Sequence, residues 1–292
     1  MDLKAILAGL AFGLMWSSAF TSARIIVAEA PPIAALALRF LISGGIAVAI
    51  ALALGQTWRL TRRQWQATLI FGVCQNALYL GLNFVAMQTV EASVGSIIAS
   101  TMPLAVAAFG WLAMGERLSR QAIAGLVAGL IGVVVIMSAR ISGGADPFGI
   151  GLCVLGMLAL TTATLMVRGA TSGGNLLMIV GLQMLVGSAV LWVPVLITGI
   201  EPVIVTWRLG AAFAYTTVVP GLLATIVWFW LVNRVGATRA ATFHFLNPVF
   251  GVLVAAVVLG EPIRLTDGIG VLIVTMGILA VQLSRQRPAQ TA

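Results

Sequence analysis

Charge is scarce in this sequence of 292 residues: Asp, Glu, Lys and Arg together make up 8%, against about 25% in an ordinary soluble domain. That excludes a water-soluble globular fold of this length. Cysteine occurs twice, as Cys74 and Cys153, each inside an apolar run, so neither a disulfide framework nor a paired-cysteine zinc pattern is available. Histidine occurs once, as His244. The eight acidic residues, Asp2, Glu29, Glu91, Glu116, Asp146, Glu201, Glu261 and Asp267, all fall in expected loops or helix ends. An intramembrane enzyme needs a nucleophile with a base, or a metal, and one histidine with no carboxylate at membrane depth supplies neither. No catalytic residue, cofactor site or metal site is expected. Gly-rich phosphate loops, channel filter motifs and short alternating strands of a barrel are missing as well.

What remains is apolar. Hydrophobic residues make up 61% of the chain and mean hydropathy is +1.11. Apolar runs near the ~20 residues that cross the hydrocarbon core as a helix recur at about 4–27, 33–54, 65–86, 92–114, 122–138, 148–167, 175–198, 209–231, 239–259 and 268–283. The expected class is an all-α membrane protein with ten transmembrane helices. Turn signals separate them: Pro31–Pro32, the basic stretch Trp58 to Arg63, Gly143–Gly144 with Asp146–Pro147, and Gly173–Gly174. Ala28-Glu29-Ala30 looks like a small-x-small cleavage site, but the preceding run is too long for a signal peptide and Asp2 sits beside Lys4, so a retained first helix is expected.

The formal net charge of +8 reads as topology rather than nucleic-acid binding. With the N-terminus inside, the inner loops hold Lys4, Arg59, Arg62, Arg63, Arg117, Arg120, Arg168, Arg234, Arg239, Arg285 and Arg287. The outer loops hold Arg24, Arg140, Arg208 and Arg264. Eleven against four is a positive-inside bias. Both termini are therefore expected in the cytoplasm, with anionic lipid a secondary partner. The polar tail from Ser284 onward is expected to be disordered.

Displacing the chain on itself by 145 residues aligns Val90 with Val235, Ala92 with Ala237, Pro103 with Pro248, Gly115-Glu116 with Gly260-Glu261, Gly125 with Gly270, Gly132 with Gly277 and Arg140 with Arg285. The chain divides into two five-helix halves, 1–143 and 144–284, with 285–292 as a cytoplasmic tail. Five is odd, so the repeats are expected to be inverted, an arrangement frequent in secondary transporters.

Trp16, Arg39 and Leu80-Gly81-Leu82-Asn83, through Pro103 to Gly115-Glu116-Arg117-Leu118, resemble the first half of a drug/metabolite transporter of the EamA type. Phe245-Leu246-Asn247-Pro248-Val249, through Gly260-Glu261-Pro262, resembles the second half. The resemblance implies ten helices in an inverted repeat and export of a small metabolite across the cytoplasmic membrane. It is strongest to bacterial amino-acid exporters, including those for aromatic amino acids.

Polar residues at membrane depth are the candidates for a path. Asn76, Tyr79 and Asn83 share a face of the third helix; interhelical hydrogen bonding is the alternative role. His244 and Asn247 precede Pro248 in the ninth. Trp228 lies two turns beyond Pro220-Gly221 in the eighth, and Trp230 points elsewhere. Trp16, with Ser17, Ser18 and Thr21, and Thr161, Thr162 and Thr164 give the first and sixth helices polar interiors. The expected substrate-binding set is Trp16, Asn76, Tyr79, Asn83, Trp228, His244 and Asn247, lining a central cavity. Arg39 could grip a carboxylate, but its shallow position favours a structural role at the outer rim. Gly125, Gly129 and Gly132 are read as intrachain packing rather than a dimer face, and a monomer is expected. With no buried carboxylate to carry protons, facilitated diffusion or exchange is the expected mode, His244 being the one alternative proton site.

Overall fold

A computed structural model describes residues 2–166, 173–199, 202–236 and 240–286. Arg168, Glu201, Ala237, Arg239 and the tail 287–292 lie outside the described residues. Within them, ten helices are long and apolar enough to cross a membrane: α1 Leu3–Val27, α2 Pro32–Ala53, α3 Arg62–Ala86, α4 Ala92–Ala113, α5 Arg120–Ser142, α6 Pro147–Met166, α7 Leu176–Thr198, α8 Trp207–Val232, α9 Thr242–Leu259 and α10 Leu265–Ser284.

The repeat is written into local backbone chemistry. Thr61 and Thr206, 145 residues apart, each cap a helix through the side-chain oxygen, accepting from Gln64 N at 3.3 Å and Leu209 N at 3.1 Å. Ten residues into each of these helices the winding loosens to a π-helix, over Gly72–Tyr79 in α3 and Thr217–Leu223 in α8. In α8 the cause is visible in the sequence. Pro220 has no N–H for the carbonyl of Thr216, and i→i+5 winding passes that acceptor to Gly221. Both α4 and α9 break before a proline, Pro103 and Pro248, each in the first turn of the continuing helix. Both end on a left-handed glycine, Gly115 at φ 67° and Gly260 at φ 70°, where a side chain would be strained.

The chain separates into two compact units that cut across the sequence halves. The first contains Met1–Thr21, Thr89–Ile150 and Leu223–Ala292; the second contains Ser22–Gln88 and Gly151–Leu222. Each takes helices from both repeats.

In the first unit α5 lies along α10. A Cβ built on Gly125 would stand 2.7 Å from Gly277 O, and one on Gly277 would stand 2.6 Å from Gly125 O. The pair Gly132 and Gly270 repeats this at 2.9 and 3.0 Å. Because Gly125 corresponds to Gly270 and Gly132 to Gly277, the two contacts are repeat images of each other. Lipid is as apolar as leucine, so close backbone packing rather than hydrophobic transfer holds such a seam. The glycine stripe is thus used in intrachain packing, and Val127 and Leu130 between its members, with Val134 just beyond, are exposed. In the second unit α2 lies along α7 in the same manner: a Cβ on either Gly44 or Gly181 would come within 3.0 Å of the other's carbonyl oxygen. Ser188 donates to Ala37 O at 2.8 Å across this seam.

Candidate functional site

In the first unit, α1 presents Phe12 and Trp16 one turn apart. Their rings lie 5.7 Å apart, and Trp228 from the end of α8 stands 4.8 Å from Phe12. His244 completes the group, edge-on to Phe12 at 5.2 Å and to Trp16 at 6.2 Å, and 5.2 Å from Trp228. Phe12 is 1% exposed and forms the floor; Trp16, Trp228 and His244 are half-buried. Ala5, Leu231, Ala240 and Phe243 back the cluster with a buried apolar layer.

The backbone places these groups. Thr242–Leu246 winds as a 3₁₀ segment, which brings residues three apart onto one line and sets Asn247 Nδ2 2.9 Å from His244 Nδ1. The same winding lets Asn247 N–H reach His244 O, so the donor missing at Pro248 leaves no orphan carbonyl there. Ser17 and Ser96 donate to Asn247 O at 3.2 and 3.5 Å, and Gly251 is the gap into which Ser96 fits. With its amide nitrogen toward His244, Asn247 keeps a buried Oδ1 that has no partner among the described residues. A buried acceptor without a donor is costly, and here it belongs to the amide that contacts His244 of the ring cluster. Trp16, Trp228, His244 and Asn247 are therefore brought together. The sequence reading missed Phe12, although its spacing of four from Trp16 was the available signal. Trp230 is exposed and carries the Arg234 guanidinium over its ring at 5.3 Å.

Asn76, Tyr79 and Asn83 lie in the second unit, all three buried. Asn76 Nδ2 donates to Gln183 O of α7 at 2.8 Å, the interhelical role. Asn83 Nδ2 donates to Tyr79 O at 2.7 Å, and its Oδ1 is unpartnered among the described residues. α6 comes close here, since a Cβ on Gly156 would lie 2.8 Å from Asn83 Nδ2. The polar interior expected of α6 takes another form. Thr161, Thr162 and Thr164 each donate to the carbonyl four residues back at 2.8–2.9 Å, and Thr162 is exposed.

One charged group escaped the sequence reading. Arg140, at the end of α5 and 1% exposed, grips Asp267 through Nε at 3.0 Å and Nη2 at 2.7 Å; Asp267 is fully buried. Glu91 also pairs with Arg140. Glu261 accepts from Ala92 N at 2.7 Å and Ser93 N at 3.0 Å at the start of α4. A carboxylate expected at a helix end is at the helix end, but buried and neutralised.

Ten apolar helices and two copies of one five-helix pattern define a multi-pass membrane protein. The EamA-like transporter family matches twice, over residues 3–138 and 147–283. The chain belongs to that family and is a membrane transporter. It is 25% identical to the uncharacterized transporter YvbV of Bacillus subtilis over 92% of this chain and 88% of that protein. It is 27% identical to an uncharacterized transporter of Archaeoglobus fulgidus, over 92% of this chain and 95% of that protein. To the uncharacterized inner membrane transporter YedA of Escherichia coli K12 it is 25% identical over 93% and 88%. A solved crystal structure, 20% identical, covers 99% of this chain and all of its own with a TM-score of 0.68, and shares the fold.

Proposed function

We propose that this transporter is a secondary carrier, not an enzyme, that exports neutral amino acids with aromatic side chains, and related metabolites, from the cytoplasm by alternating access. It would sit in the bacterial inner membrane with both termini cytoplasmic. The observation that carries the reading is the half-open cluster of Phe12, Trp16, Trp228 and His244 beside the unpartnered Asn247 Oδ1. Ring faces pack an aromatic side chain and attract an ammonium group, and Asn247 Oδ1 supplies an acceptor for the same ammonium. Of the second unit's three residues, Asn83 keeps an atom to offer a solute, and Tyr79 stands beside it. Asn76 is engaged with α7.

The test is counterflow in proteoliposomes loaded with a panel of amino acids. Tryptophan and phenylalanine are expected to exchange saturably and several-fold faster than alanine or glutamate. No preference for aromatic solutes, or flux that does not saturate, would remove the reading. Facilitated diffusion or exchange is the proposed mode. Net uphill movement driven by an imposed pH gradient, abolished by His244→Ala, would replace it with proton coupling through His244.

A further inference from the structure

We propose that Arg39 recognises the carboxylate of the transported solute, a role that rests on the export reading above and deepens it. Its rim position in the sequence suggested a structural cation. In the second unit the side chain is enclosed by protein. Arg39 lies seven residues into α2, about 10 Å along the axis at ~1.5 Å per residue, and is 5% exposed, so it does not reach out of the protein toward a lipid headgroup. No described carboxylate forms an ion pair with it, and its buried Nε has no hydrogen-bond partner among the described residues. Within the same chain the contrast is Arg140, which is equally buried and held by Asp267 and Glu91. A buried guanidinium without an anion is strongly destabilised, so the unmatched charge of Arg39 asks for an anionic ligand.

The guanidinium lies close against α8. Arg39 Nη2 faces the π-helical part of α8 at Gly221, where a Cβ would stand 3.3 Å from it and 3.1 Å from Thr216 O. The residue with no side chain thus sits where the guanidinium edge comes against α8. π-winding around Pro220 has already engaged the Thr216 carbonyl, so the backbone there offers less to an arginine than an open acceptor would. The Phe40 ring lies 4.9 Å beneath the guanidinium carbon, which holds its plane and leaves the fork of N–H donors suited to bidentate carboxylate binding.

The experiment uses the full chain in phosphatidylcholine vesicles and compares counterflow of tryptophan, tryptophan amide and tryptamine. Wild type is expected to prefer the carboxylate. Arg39→Gln is expected to lower the tryptophan-to-amide rate ratio about ten- to a hundredfold, the factor for losing charge-assisted hydrogen bonds. Arg39→Lys, which keeps charge without the fork, should fall between, and Gly221→Ala should lower the ratio several-fold with the charge intact. Equal loss for all three solutes, or no carboxylate preference in wild type, would return Arg39 to a structural role. A second readout separates this proposal from the export reading: protection against thermal unfolding by benzoate. If no amino acid moves but benzoate protects wild type at least tenfold more potently than Arg39→Gln, Arg39 binds carboxylates and the amino-acid reading alone falls. Equal or absent protection overturns the role of Arg39.

Discussion

Removing Arg140 should unfold the end of the first unit where α4, α5 and α10 meet. The guanidinium is 1% exposed and Asp267 is fully buried, joined by two hydrogen bonds at 3.0 and 2.7 Å. Glu91 shares the cation. Truncating one partner of such a pair typically costs about 3–5 kcal/mol, because the other charge stays buried and uncompensated. Arg140→Met leaves two carboxylates without their counter-charge and belongs at the upper end. Asp267→Asn leaves Arg140 with Glu91 and belongs at the lower end, about 3 kcal/mol. Replacing both, Arg140→Met with Asp267→Leu, removes the fully buried pair, leaves only the 35% exposed Glu91 unpaired, and should recover much of the loss. A double-mutant cycle of unfolding in detergent micelles, followed by tryptophan fluorescence, gives the coupling, expected at about 2 kcal/mol or more. Single variants within about 0.5 kcal/mol of wild type, or strictly additive losses, would refute the view that this pair locks the helix ends.

Three further outcomes are expected. Gly277→Leu should destabilise the α5 to α10 seam by at least about 1–3 kcal/mol in the same assay, while Gly268→Leu, which has open space around it, should be near neutral. At the N-terminus, the side chain of Arg234 and then the backbone N–H of Ala5 hold the Asp2 carboxyl down at about 2 from 3.8; its folded value is depressed, so its contribution is complete above pH 3.8 and disappears as pH falls through about 2. Hydrogen exchange of the first turn of α1 should show that acid fraying, with Asp2→Asn frayed already at neutral pH and indifferent to acid over the same window. Reporter fusions at Gly143 and Ala292 should report opposite sides of the membrane, with Ala292 cytoplasmic; the reverse would overturn the orientation drawn from the basic loops.

Element positions were legible because the bilayer imposes helix length and the repeat imposes a 145-residue displacement. The Gly125, Gly129 and Gly132 stripe gave itself away by spacing alone, since small residues one and two turns apart have one common use in a helix seam. The π-helical segments were not legible. Pro220 announces a disturbance in α8, but Gly72–Tyr79 has no proline, and its counterpart became visible only through the repeat. Trp16, Trp228, His244 and Asn247 could be nominated singly because each is an amphipathic or polar group in an apolar run. Their assembly around Phe12 depends on contacts between residues more than 200 positions apart, which periodicity does not carry. Arg140 and Asp267 looked like loop residues for the same reason: a charge at a helix end reads as solvated until its partner across 127 positions is known. The burial of Arg39 could not be read from depth alone, since burial by neighbouring helices, and not distance from the rim, decides whether a cation meets water.

The measurement closest to the central claim is saturable tryptophan counterflow through the purified protein, compared between wild type, Trp228→Ala and Asn247→Ala. All three proteins should be folded, as judged by unfolding in micelles. Wild-type exchange that saturates, with both variants reduced about tenfold or more, is the predicted result. Undiminished tryptophan flux in both variants would place the solute site away from the aromatic cluster and contradict the account.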